Sequence, residues 1–339
     1  VLRMPAIQNF NGSDFSVRIP IPFYIDERID DFQPDIIHSH HPYLLGDSAL
    51  RAARKRSLPL IFTHHTLYEE YTHYVTSDSE AMKRFASVLS TEYANLCSRV
   101  VAPSGSIRDL IRERGVTTPV SVIPTGVDTE FFQSGHGSSF RRMNGIPQDV
   151  PVIGHLGRLA PEKNLSFLAE SIVRVVGENR QVRFLVAGEG PGQKEIVDIF
   201  RRKGLEDSLV MPGKLTGDAL ANAYAAMDLF VFSSKSETQG MVLAEAMAAG
   251  IPVVALDASG VREVLKDGEN GRLLNEDADE NLFASETRKI LANEEQMERW
   301  RSGAFETGSM FDRKQCAKDL HELYEAIIEE KPATIKRSN

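Results

Sequence analysis

Alternation is the feature that most constrains this chain. Short apolar runs rich in β-branched residues recur along most of its length, separated by amphipathic stretches. The runs are Asp35–His38 (DIIH), Pro59–Thr63 (PLIFT), Arg99–Pro103 (RVVAP) and Val120–Pro124 (VSVIP). They resume as Val152–Leu156 (VIGHL), Val182–Ala187 (VRFLVA), Leu229–Ser233 (LFVFS) and Pro252–Leu256 (PVVAL). Runs this short suit parallel strands buried on both faces. The intervening patterns predict crossover helices over Asp47–Ser57, Ser79–Cys97, Asn164–Gly177, Gly192–Lys203, Asp218–Met227, Gly240–Ala249 and Arg313–Glu329. The fold class expected is therefore α/β. With 339 residues, the chain exceeds the roughly 100–200 of an average domain, so two domains are expected. Asp128–Pro151, with its GHGSS and NGIPQDVP, reads as a linker or long loop and sets the boundary. A cleft between two α/β domains is the default ligand site.

Composition narrows the function classes. The formal net charge of −9 argues against a general nucleic-acid binder. Two cysteines, Cys97 and Cys316, lie far apart without paired spacing, so neither a disulfide framework nor a zinc site is expected and a reducing cytoplasm fits. No apolar run reaches the roughly 18 residues of a membrane span, and no signal peptide is visible.

The second half carries two motifs. In VIGHLGRLAPEKNL (Val152–Leu165) a strand ends near Leu156, Gly157 permits a tight turn, and Arg158 and Lys163 follow. Ligands of open α/β sheets bind at the carboxyl ends of strands. Two cations there suit a diphosphate, arginine as a fork and lysine as a point charge; the alternative is a solvated basic loop. In SSKSETQGMVLAEAMAAG (Ser233–Gly250) a polar loop leads into a helix opening near Gly240. Free N–H groups and the helix dipole at such a start favour an anion, and Gly240 allows close approach of a ligand. Glu245, about a turn and a half into the helix, can accept from a ribose diol. Glu237, in the preceding loop, can face a sugar. The alternative is a pair of ordinary surface glutamates.

The first half is rich in histidine: His38, His40, His41, His64, His65 and His73 cluster at the ends of two predicted strands. Metal binding would need close ligands fixed by further partners; hydrogen bonding in the cleft is the expectation for His38, His40 and His41. RAARKRS (Arg51–Ser57) places four cations on one short helix, which suits either a solvated face or an anionic lipid surface.

GRLAPEKN, then AGEGP, then E-x7-E, in this order from Gly157 through Glu245, resembles the C-terminal domain of the retaining glycosyltransferases of family 4. The resemblance implies a GT-B fold, two Rossmann-like domains facing a cleft. The acceptor-side domain would be 1–135, with 310–339 returning to it, and the sugar-nucleotide domain 145–309. It implies that Arg158 and Lys163 contact the donor diphosphate, Glu237 the donor sugar and Glu245 the ribose, with backbone N–H groups of Thr238–Val242, including Gly240, Met241 and Val242, presented to the donor. The family's usual aromatic between the first Glu and the Gly is Gln239 here. HTLYEEYTHYV resembles family members that glycosylate diacylglycerol, and more loosely the phosphatidylinositol mannosyltransferases. By that resemblance His65 lies beside the donor sugar, and Tyr68, Glu69, Tyr71 and Tyr74 line the acceptor side; an aromatic face packed on the sheet is the alternative for the tyrosines. His65 and Glu237 are the catalytic candidates. PTGVD (Pro124–Asp128) resembles the segment at the domain junction. The family's first strand and Gly-rich loop have no counterpart, NFNGSDFS (Asn9–Ser16) being a poor substitute, so the first domain is expected to lack them. The reaction implied is retaining hexosyl transfer by front-face attack, without cofactor or metal. The donor would be a UDP-sugar by preference, or a GDP-sugar, and the acceptor a lipid or carbohydrate. A cytoplasmic protein, peripheral at the inner membrane face, is the corresponding location. A transferase acting on a soluble sugar or sugar phosphate and a non-catalytic sugar-nucleotide-binding protein are the competing readings.

Overall fold

The computed structural model describes residues 1, 3–8, 17–19, 22–69, 79–235 and 237–330. NFNGSDFS and the residues Tyr71, His73 and Tyr74 lie outside them. The chain folds as two compact units, Val1–Pro124 with the segment from Ala317 onward, and Thr125–Cys316. Each has its own parallel sheet and core.

In the first unit a short antiparallel pair, β1 (Ala6–Ile7) and β2 (Val17–Arg18), precedes α1 (Pro22–Phe32). A four-stranded parallel sheet follows, ordered β3 (Ile37–Ser39), β4 (Leu60–Thr63), β5 (Arg99–Ala102), β6 (Val120–Val122). Its crossovers are α2 (Leu45–Arg56), α3 (Glu80–Asn95) and α4 (Gly105–Glu113). Ser79 and Ser104 cap the last two, their side chains accepting from Met82 N and Ile107 N, which satisfies donors that a helix start leaves open. Successive strand residues point to opposite faces. Phe62 therefore joins Tyr93, Ile107 and Ile111 on one side, while Ile61 joins Val101 and Ile327 on the other.

The second unit opens with α5 (Thr129–Gln133) and α6 (Gly137–Met143). The stretch expected as a linker thus folds against the second unit: Val127, Phe132, Phe140, Ile146 and Val150 are all buried in its core. Its Gly and Ser content concealed two short helices, each anchored by a phenylalanine. The strands are β7 (Val152–Leu156), β8 (Arg183–Ala187), β9 (Leu209–Gly213), β10 (Leu229–Phe232), β11 (Val253–Leu256) and β12 (Gly271–Leu274). They form one parallel sheet in the order β12-β11-β10-β7-β8-β9. Relabelled from one to six, this is 6-5-4-1-2-3, the Rossmann arrangement. The helices α7 (Leu165–Glu178), α8 (Gln193–Arg202), α9 (Asp218–Ala225), α10 (Met241–Ala248), α11 (Ser259–Arg262), α12 (Glu280–Leu291) and α13 (Glu294–Met310) cover both faces, and α14 (Arg313–Glu329) completes the described chain.

Three of the four cations of RAARKRS are paired. Arg51 meets Asp47, and Lys55 and Arg56 both meet Asp26 and Asp30 of α1. That leaves this helix little net positive field. Among the described residues no helix is long and apolar enough to cross a membrane.

Candidate functional site

In the six-stranded sheet the chain runs outward from β7 in one direction through β8 and β9, then returns to run the other way from β10. The loops after β7 and β10 therefore part above adjacent strands, which leaves a crevice at the carboxyl edge, the place where open α/β sheets hold ligands. Arg158, Lys163, Glu237 and the start of α10 all fall at this edge.

Hydrogen bonds hold the loops together. Leu159 N donates to Glu189 O, and Gly192 N to Leu159 O, joining the turns after β7 and β8. Ser233 Oγ donates to the carbonyls of Lys163 and Asn164, at 2.9 and 3.0 Å, and Ser234 Oγ to that of Glu162 at 3.2 Å. Both serines are fully buried. Buried hydroxyls paired in this way fix the backbone on which the cations stand.

Each cation has a carboxylate partner. Arg158 reaches Glu162 at 2.6 Å. Burial tends to raise the Glu162 carboxyl, and the Arg158 hydrogen bond outweighs it and holds the group below its ordinary value. Lys163 Nζ donates to Glu237 Oε1 at 2.5 Å, and both side chains are largely shielded from solvent. An ammonium has three donors, so this contact leaves Lys163 with capacity for a further acceptor. Its Nζ also lies 5.9 Å from the centre of the Phe232 ring, within cation–π range.

Gly240 has φ of 69°, a left-handed conformation that glycine adopts without steric cost. It starts α10, which no side chain caps. Among the described residues the N–H groups of Met241 and Val242 have no hydrogen-bond partner. Glu245, further along the same helix, accepts at Oε2 from Tyr224 OH at 2.7 Å. Burial raises its carboxyl above the ordinary value, with the Tyr224 bond opposing.

Three contributors were not read from the sequence. Tyr224 sits in the apolar run AYAAM, and nothing in that run signals its role as partner of Glu245. Gln239 is buried, and its amide forms a pair of 2.8 Å hydrogen bonds with the backbone N–H and C=O of Thr125. It thus anchors the loop before α10 to PTGVD in the way a neighbouring strand would. His155 of β7 lies beneath the cations, its Nδ1 against Val231 O and its ring stacked on Phe230 and Phe232. Burial, followed by the Lys163 charge among lesser causes, pushes it down to about 4, so the imidazole under Lys163 is neutral.

The first unit holds the other sequence-derived candidate. His65 follows the end of β4, and its Nε2 lies 2.8 Å from His40 Nδ1. Tyr68 is buried in the core cluster of that unit and packs edge-to-face on His41, Tyr43 and His64. Glu69 pairs with Arg114 at 2.5 Å. Both thus make packing or ion-pair contacts within the unit. Among the described residues no group of three or more His, Cys, Asp or Glu side chains is arranged to hold a metal ion.

A Rossmann-ordered sheet with paired cations and an uncapped helix start at its switch point defines a nucleotide-binding type of α/β unit, here joined to a second α/β unit. A family model described as Glycosyl transferases group 1 matches residues 138–307, half of the chain, and one described as Glycosyltransferase Family 4 matches residues 1–131. The chain belongs to the family 4 glycosyltransferases, which have the GT-B fold. Among curated relatives it is 28% identical to the alpha-monoglucosyldiacylglycerol synthase of Streptococcus pneumoniae, over 80% of this chain and 63% of that protein. It is 27% identical to the GDP-mannose-dependent alpha-mannosyltransferase of Corynebacterium glutamicum, over 81% of this chain and 63% of that protein. The chain thus spans somewhat under two thirds of the length of these relatives. In fold it is similar to Anabaena Alr3699/HepE, solved in complex with UDP and glucose, at a TM-score of 0.77 and 23% identity, covering 90% of this chain and 81% of that one.

Proposed function

We propose that this chain binds a nucleotide-diphosphate sugar in its second unit and serves retaining transfer of the hexose to a lipid or carbohydrate acceptor. The observation that carries this reading is the Lys163–Glu237 pair beside the uncapped start of α10, at the switch point of the sheet. The diphosphate lies at that helix start, with Arg158 and Lys163 as its cations and Gly240, Met241 and Val242 as backbone donors. Fixed charges of this kind stabilise the negative charge that builds on a leaving diphosphate without reorganising during the step. Lys163 keeps Glu237 while a second donor takes a phosphate oxygen, which brings the sugar attached to that phosphate to Glu237. Glu245, braced by Tyr224, offers its other oxygen to the ribose diol. His65, on the first unit, is the second catalytic candidate. These residues need no metal for the charge. UDP is preferred as the nucleotide. The named activity of the pneumococcal relative supports a glucosyl lipid product, and that of the corynebacterial relative keeps GDP in view.

A lipid acceptor gains support from α3, whose Phe85, Val88 and Leu89 form an exposed apolar stripe; spacings of three and four place them on one helix face. Calorimetric titration with UDP, GDP and ADP tests the donor half. Binding of one diphosphate, with little response to the others, is expected and identifies the base; no binding of any of the three by this chain or by a longer form would rule the donor site out. Flotation with anionic vesicles, lost on Phe85→Ser, tests the lipid half.

A further inference from the structure

The first unit contains a cluster of three imidazoles whose arrangement follows from strand geometry. β3 and β4 are parallel neighbours with His38 opposite Ile61. Side chains two apart share a face, so His38 and His40 rise on the same side as Ile61, Thr63 and His65. The His38 and His40 rings stack with centroids 4.2 Å apart, and the His40 and His65 rings meet edge to edge, 20° from coplanar, with centroids 5.0 Å apart. The base of the cluster is fixed: His38 Nδ1 meets Tyr324 OH of α14 at 2.5 Å and its Nε2 meets Thr63 Oγ1 at 2.6 Å. His40 is thereby held between an anchored ring and His65, and the His40 Nδ1–His65 Nε2 distance is 2.8 Å.

A bond between two imidazole nitrogens accommodates one proton. A neutral imidazole carries a single N–H, and its position decides which nitrogen can accept. All three rings are held below their ordinary values by burial first, His38 to about 3 and His65 to about 4, so each is neutral near pH 7. Neutral imidazole prefers the proton on Nε2. With both rings in that form, His65 Nε2–H donates to His40 Nδ1 and the bond is made with neither ring in its less favoured form. His65 Nδ1 is then an acceptor.

We propose that His40 is a positioning residue for His65: stacked on His38, it holds the His65 ring and fixes its proton on Nε2, which makes Nδ1 the accepting nitrogen of that ring. Its use in the reaction rests on the reading of His65 as a catalytic residue. The tautomer part stands independently of turnover, and the test separates the two.

The test is ¹⁵N NMR of the histidine side chains at pH 7 in the chain itself, in His40→Phe and in His40→Asn. Phe keeps a stacked ring without the acceptor, and Asn supplies an amide oxygen close to the position of Nδ1. The expected result is a single Nε2–H form of His65 in the wild type, a tautomer mixture in His40→Phe and recovery in His40→Asn. A purely structural role would leave the tautomer alone in all three. A wild-type His65 protonated on Nδ1, or an unchanged spectrum in His40→Phe, overturns the proposal. Donor turnover should fall roughly tenfold in His40→Phe with KM little changed, and return in His40→Asn. Unaltered turnover alongside a shifted tautomer removes His65 from the reaction, and with it the use made of His40, while leaving the donor site of the second unit intact.

Discussion

Glu245 shows how a binding group and a stability cost coincide in one residue. Its carboxyl is raised by burial, and the hydroxyl of Tyr224 only partly compensates. A folded-state value above the unfolded one means that the folded state holds its proton more tightly. Stability therefore falls as pH rises from the ordinary carboxylate value through the raised one, and stays lower above it. Glu245→Gln keeps an acceptor for Tyr224 and removes the charge. The melting temperature should rise at pH 7, and the gain should vanish below the ordinary carboxylate range. Nucleotide diphosphate affinity should fall roughly tenfold, the scale of one charge-assisted hydrogen bond. Thermal melts at two pH values beside a calorimetric titration check both parts. A variant that is neither stabilised nor weakened in binding would make Glu245 an ordinary helix residue.

At the scale of elements, the carboxyl-edge loops are held by contacts of the backbone itself. Gly260, in α11, donates its N–H to Glu237 O at 2.9 Å, and a Cβ there would lie 2.5 Å from Gln239 N and 2.7 Å from Glu237 O. Neither atom is the end of a flexible side chain, so Gly260→Ala must displace the loop that carries Glu237. The expected cost is about 1–3 kcal/mol of stability, with weaker nucleotide binding and an unchanged far-UV spectrum; unaltered binding in calorimetry would separate the loop from the site. Contacts like this mark the limit of what the sequence could convey. Six of the eight apolar runs were legible because they are central strands buried on both faces; the other two, β3 and β6, are edges of the four-stranded sheet that kept an apolar run. β9 and β12 were not, and both are edges of the six-stranded sheet. The five residues of β9 are all only partly buried, and β12 is buried only at its ends; the apolar run of β9 is three residues closed by Pro212 and Gly213, and that of β12 is two. Within the site, Glu237 and Glu245 declared themselves by spacing. Tyr224, Gln239 and Gly260 did not, because each acts on a residue that is a neighbour only after folding. In the first unit the histidines were visible as residues, but their cluster depends on the pairing register of β3 and β4.

Across the whole molecule, the titrating histidines are unevenly divided. His38, His40, His41, His64 and His65, all in the first unit, are held below the ordinary imidazole value, with burial the leading cause. In the second unit the same holds of His155. A base whose folded value is depressed stays neutral in the folded state while the unfolded chain takes up a proton. Its contribution is complete above about 6.5 and is lost as pH falls toward the folded value. For buried His64, depressed to about 4, the loss by that pH is of the order of 3 kcal/mol, at about 1.4 kcal/mol per pKa unit. The first unit should therefore give way to acid before the second. The chain carries its own reporter of the difference: its single tryptophan, Trp300, is buried in the second unit, with Nε1 donating to Gly268 O at 2.8 Å. Between pH 6.5 and 4, far-UV ellipticity should fall in a step that leaves Trp300 fluorescence at its native value, and the fluorescence should change only at lower pH. Two separate transitions would show that the cores are independent cooperative units, as their division suggests. Coincident loss of both signals would mean that the units unfold as one, and that histidine burial in the first sets the acid limit of the entire chain.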